Sequence, residues 1–226
     1  MKSYFIVWGC IIKIFFDIEA TDKNPYIAEI IESYFVKEDG EVYEFESQVR
    51  EWSEEAEKIH GIREDEMHRF PEKAYAWDRL LDWFPDKFEA VVYANPQSEM
   101  GFFYYDTVAL KMEIMNHLGI NHECKLPIKI TTTSVHTLAK QCEALGLFTA
   151  IKAKDAFRLG ISTNINHADS NNKSFMQGSV YYALFGKLYR SHRSKTDTIA
   201  MIEIYQHLKK LLENKKIDTT NQLSLL

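Results

Sequence analysis

The chain has 226 residues, 46% of them hydrophobic and 13% aromatic, enough for one sizeable core. Its formal net charge of −6 excludes a protein coated in basic charge for non-specific nucleic-acid binding, though a locally basic cleft or metal ions could still supply positive charge. Three cysteines (Cys10, Cys124 and Cys142) show no paired spacing and no CxxC, which suggests neither a disulfide framework nor a zinc site and fits a reducing, cytoplasmic setting.

The apolar opening, Tyr4 to Ile12, runs on into a charged strand without a small-residue cleavage site. It is also too short to span a bilayer, so a soluble protein without a membrane partner is expected. Residues 11–21 read as a β-strand, apolar almost throughout and central in a sheet covered on both faces. Asp17 and Glu19 interrupt its C-terminal end. Alternate residues share a face, so these two acids stand side by side. Such a pair suits a divalent cation with hard oxygen ligands, Mg²⁺ or Mn²⁺. The competing reading is a strand end fraying into water with two solvated acids.

A second strand over 29–36, an Asp39-Gly40 turn and a third strand over 42–49 complete a three-stranded antiparallel meander. Ser53 caps a short helix that Gly61 ends. Helical pattern continues from Arg63 to Phe84, broken at Pro71, and a short buried strand over 90–94 ends at Asn95-Pro96. Residues 105–118 have helical period, with Gly119 as C-cap and Asp106, Ala109, Leu110, Ile114 and Leu118 on one stripe. Asp106 is either an ordinary first-turn acid favoured by the helix dipole or a functional acid aimed at the core. A strand over 128–131 and a helix from Ser134 to Leu145, with Val135, Leu138 and Leu145 apolar, come next. The polar run 164–172 reads as a loop and His167 as a loop histidine.

A long helix starts near Thr196 and runs to about Asn214, with Asp197, Met201, Ile204 and Leu208 on one stripe. Asp197 thus stands where a leucine is expected, and His192 lies on the connection just before it. A core-facing acid beside an exposed histidine suits a metal ligand with a general base, against the plainer reading of an N-terminal acid and a surface histidine. No repeat or linker divides the chain. A single domain over 1–214 with a flexible tail over 215–226 is expected.

These residues resemble the DEDDh branch of the 3′→5′ exonucleases, which includes the proofreading subunit of bacterial DNA polymerase III, ribonuclease T and oligoribonuclease. The first motif is matched by Asp17-Ile18-Glu19, and the third by His192 with Asp197 opening a long helix. In the second motif Ala94 replaces the usual His before Asn95, and several residues are inserted before Tyr105-Asp106. A rival register takes Glu99 as the acid, and Asp106 is preferred because Leu110 and Ile114 continue its stripe. The resemblance, over roughly residues 10–212, implies an α/β, ribonuclease-H-like mixed sheet in which parallel strands join the meander, flanked by helices. It implies two divalent cations, Mg²⁺ or Mn²⁺, held by Asp17, Glu19, Asp106 and Asp197. His192 would be the general base and a nucleic-acid 3′ end the substrate, with release of nucleoside 5′-monophosphates. A 3′→5′ exoribonuclease is one alternative, since no residue reads a 2′-hydroxyl, and a catalytically silent member that binds nucleic-acid ends is another, because of the departures between Asn95 and Asp106.

The chain ends Gln222-Leu223-Ser224-Leu225-Leu226. This resembles the pentapeptide that docks bacterial polymerases and their partners onto the sliding clamp, with Leu226 where Phe is commoner, and it favours single-stranded DNA and a replication or repair setting. The alternative is a tail that packs back on the domain. Deleting residues 222–226 is expected to leave nuclease activity on short single strands unchanged and to abolish clamp binding in a fluorescence titration. A drop in thermal stability on truncation would instead mean that the tail packs.

Overall fold

The computed structural model describes residues 11–94, 105–121, 124–189 and 191–223, with 217–223 as backbone only. Asn95, Glu99, Leu225 and Leu226 lie outside the described residues. Five strands form one mixed sheet in the order β3-β2-β1-β4-β5. β1 (Ile12–Ala20), β2 (Ile30–Lys37) and β3 (Val42–Glu46) are the antiparallel meander, while β4 (Lys87–Val92) and β5 (Lys129–Ser134) add parallel to β1. β1 is therefore central, as its apolar run requires.

The helices lie on both faces. α1 (Glu54–His60) has the expected caps: the Ser53 hydroxyl accepts from Ala56 N, and Gly61 takes a left-handed φ of 72° that a side chain would strain. α2 (Glu64–Met67) and α3 (Lys73–Trp83) flank Pro71. α3 and α4 (Tyr105–His117) pack Trp77, Leu80, Leu110 and Ile114 against Ile14, Phe16 and Ile18 of β1. On the other face α5 (Val135–Ala144), α7 (Gln177–Phe185) and α8 (Ser194–Leu223) surround Phe15 and Val91, and α6 (Ala153–Arg158) lies between α5 and α7 in sequence. The alternation along β1 thus puts Phe15, Asp17 and Glu19 on the face that α8 covers. Met201, Ile204 and Leu208 are fully buried there, so the apolar stripe of α8 fixes where Asp197 points.

Several expectations need correction. β3 stops at Glu46 instead of Val49, because the chain leaves the ladder and Gln48 bonds the carbonyls of His68, Phe70 and Pro71. β4 starts earlier, at Lys87. Leu118 is 42% exposed because α4 ends at His117 and the chain turns away through Gly119, and Leu145 is 43% exposed just past the end of α5. The run 164–172 includes a 3₁₀ turn at Ile165–His167, and His167 Nδ1 lies 2.7 Å from Ser162 Oγ. The backbone of α8 begins two residues before Thr196 and stays helical past Asn214, through the expected linker, to Leu223. No Gly or Pro stands between Asn214 and Leu223, and each added helical residue then costs little. Among the described residues no helix is long and apolar enough to cross a membrane.

Ile204→Ala, in the seam between α8 and β1, is expected to lower the unfolding free energy by about 2–5 kcal/mol in urea titration. A loss below about 1 kcal/mol would mean that α8 is not seated on β1 as described.

Candidate active site

Three elements bring acids to the carboxyl end of β1, the edge where open α/β sheets place their sites. β1 supplies Asp17 and Glu19, with an irregularity in the ladder right after Glu19. α8 supplies Asp197 one turn before Met201. Carboxylate oxygens of Asp17, Glu19 and Asp197 lie within 4.8 Å of one another. Glu19 and Asp197 are 8% and 7% exposed, so the competing picture of a strand end fraying into solvent does not hold.

Asp106, in the first turn of α4, is 7% exposed. It stands outside that tight group of three, yet after burial it is the largest influence on Asp17. Burial, followed by Asp106, Glu19, Asp197 and Glu32, holds the Asp17 carboxyl well above the carboxylate range. Burial lifts Glu19 to about 8, with Asp197, Glu32 and Asp106 adding and Arg193 opposing. It lifts Asp106 to about 7, with Asp197 adding. Asp197 is also raised by burial, against hydrogen bonds from the Tyr189 hydroxyl and the main-chain N–H groups of His192 and Arg193. A set of hard oxygens this close, held partly protonated by burial and by its own repulsion, fits small divalent cations.

His192 is exposed on the connection into α8, at a left-handed φ of 67°. Its main-chain N–H donates to Asp197 Oδ2 at 2.7 Å and that of Arg193 at 3.3 Å, so Asp197 ties the histidine turn to the acid cluster. His167 lies instead beside a second cleft lined by Tyr93, His136, Lys140, Lys173 and Gln177. That cleft reaches the first site through Gln177, whose side-chain amide donates to the Asp197 carbonyl at 2.6 Å.

Tyr189, Glu32, Arg193 and Gln177 are not among the site residues that the sequence leads one to expect. Glu32 had a usable signal: an acid within the buried strand β2 and, by register, directly opposite Glu19. Tyr189 had none, because only the turn between α7 and α8 brings its hydroxyl to Asp197.

No family model matches the chain, and no curated protein matches it by sequence. Solved structures do. E. coli exonuclease I in its zinc-bound complex with single-stranded DNA aligns with a TM-score of 0.64 at 15% identity, over 96% of this chain and 43% of that one. The same protein with a dT13 oligonucleotide gives 0.68 at 15%, over 93% and 43%. Exonuclease I from Methylocaldum szegediense gives 0.62 at 15%, over 86% and 39%. The fold is ribonuclease-H-like. At such identity the likeness establishes the fold alone, and this chain spans less than half the length of the exonuclease I chains it matches.

The raised carboxyls set a pH dependence. Without metal the folded state holds protons on these acids that the unfolded chain has released, so their contribution to stability is fully present below about pH 4 and is lost as pH rises through 7 to 8. In chelator, the melting temperature is expected to drop between pH 5 and pH 8. Mg²⁺ or Mn²⁺ should raise it at pH 8 far more than at pH 5. Equal or absent metal shifts at both pH values would argue against a cation among these acids.

Proposed function

We propose that the chain is a metal-dependent 3′→5′ exonuclease that releases nucleoside 5′-monophosphates from DNA 3′ ends. The observation that carries this reading is the convergence of Asp17 and Glu19 of β1 with Asp197 of α8 and, beside them, Asp106, within a fold that exonuclease I shares. Two divalent cations, Mg²⁺ or Mn²⁺, would be held by these four acids, among which Asp17 interacts with the other three. When bound, such ions supply the positive charge that holds a phosphodiester on an acidic protein and that favours in-line attack by water. His192 takes the proton of the attacking water, and its exposure lets it pass that proton to solvent. Tyr189 and the N–H groups of the histidine turn keep Asp197 oriented.

The surroundings support a nucleotide substrate. A cavity of about 310 Å³ beside Glu19, lined by Ala20, Thr21, Ala56, Ile59, His60 and Tyr105, suits a terminal nucleotide. The second cleft, about 580 Å³, offers Lys140 with the amides of Asn166, Asn172 and Gln177, and Lys173 in an ion pair with Glu143, a suitable path for the phosphodiester strand. Several of the similar structures are complexes with single-stranded DNA, which favours that substrate over RNA. The clamp-like segment from Gln222 to Leu226 supports a place in replication or repair, with the sliding clamp as partner.

The test offers the purified protein 3′-labelled single-stranded DNA, duplex DNA and RNA in Mg²⁺ or Mn²⁺. Asp17→Ala and Asp197→Ala are each expected to abolish nucleotide release, and Asp17→Ala to leave the metal-free fold as stable or more so. His192→Ala should slow release by about two to four orders of magnitude with metal binding nearly unchanged. Full activity in either aspartate variant would sink the reading.

A further inference from the structure

β2 carries an acid that the proposed chemistry does not use. Glu32 is 8% exposed and pairs with Glu19 across the β1–β2 ladder. Its place beside the acid cluster suggests a fifth metal ligand, but both of its oxygens are already engaged. Oε2 accepts Arg193 Nη2 at 2.6 Å and Nε at 3.2 Å. Oε1 accepts the Ser194 main-chain N–H at 3.0 Å and the Ser194 hydroxyl at 2.8 Å. Arg193 Nη2 also reaches Glu66 at 3.4 Å. A forked guanidinium on a carboxylate fixes direction as well as distance, which a lysine in its place would not do.

The partners of Glu32 are the two residues that follow His192. His192 is the only non-glycine residue with positive φ among the described residues. A residue with a Cβ stays in that conformation only where its surroundings over-determine it. Two carboxylates do so here, from opposite sides. Asp197 holds the N–H groups of His192 and Arg193 from within α8, and Glu32 holds the Arg193 side chain and Ser194 from β2. Asp197 is itself one of the acids of the cluster, so Glu32 is the anchor that leaves the cluster free for its own chemistry.

We infer that Glu32 and Arg193 are positioning residues: their ion pair fixes the left-handed turn at His192 and so aims the imidazole at the site of Asp17, Glu19 and Asp197. This rests on the reading of His192 as the general base. Glu32→Gln keeps the volume of the side chain and removes the charge that holds the guanidinium. Arg193→Lys keeps a charge and removes the fork. In Mg²⁺ with a single-stranded oligonucleotide, each is expected to lower kcat about 10- to 100-fold with KM nearly unchanged. In a His192→Ala background most of each loss should disappear, because both act chiefly through that imidazole, beside a smaller direct effect of their charges on Glu19. Losses that multiply with that of His192→Ala, or wild-type kcat in Glu32→Gln, would overturn the inference. Amide hydrogen exchange provides a readout that does not depend on activity. The His192 and Arg193 amides should exchange faster in Glu32→Gln than in the wild type, while the core of β1 is unchanged. Unchanged exchange at both amides would overturn the anchor. If the wild-type protein releases no nucleotide at all, the nuclease reading falls by itself, and the exchange measurement still decides whether Glu32 holds this turn.

Discussion

The structure depends on an arrangement that would not hold together by itself: several carboxyls forced together at the end of a central strand. At 4.8 Å two full charges in a partly buried site repel by roughly 3–4 kcal/mol at an effective dielectric near 20. Three such pairs approach the roughly 5–15 kcal/mol that holds a whole domain folded. The acids therefore cannot all be ionised unless positive charge joins them. Protonation meets that need at low pH: burial first, and for Asp17, Glu19 and Asp106 the neighbouring carboxylates as well, make these acids and Asp197 hold protons more tightly than free carboxyls do. At neutral pH divalent cations would meet it under the proposed function, and the repulsion would then become affinity for metal.

What keeps the acids together is hydrophobic. Phe15 on β1 and the fully buried Met201, Ile204 and Leu208 on α8 lock the helix onto the sheet, and burying each of the three α8 side chains contributes about 1.5–3 kcal/mol. This seam extends directly into the charged end, since Asp17 and Glu19 continue the face of Phe15 and Asp197 continues the stripe of Met201. Asp197 also satisfies main-chain donors at the start of its own helix. Glu32, buried on β2, completes that task from the sheet side. Packing, helix initiation and the placement of the acids are thus one connected arrangement.

Much of this was legible in the chain because it is local. Period-two alternation in residues 12–20 put Asp17 and Glu19 on one face, and period-3.6 spacing put Asp197 in line with Met201, Ile204 and Leu208. Cap chemistry placed α1 between Ser53 and Gly61 to the residue. The element ends were less legible where non-local bonds decide them. β3 gives up its ladder at Glu46 for the loop after α2, and α8 extends beyond Asn214 because nothing in the sequence stops it.

By itself, then, the sequence determined which acids face the sheet and which face of α8 is buried, since helical and strand periods are properties of neighbours along the chain. Tertiary structure alone decided that these faces meet, that Asp106 joins from α4, and that Tyr189, Glu32, Arg193 and Gln177 surround Asp197. Glu32 and Arg193 are 161 residues apart, and no period links positions so distant. Only closure of the sheet and docking of α8 make them partners, because a bond across that separation has no local precursor and forms only once the packing around it exists.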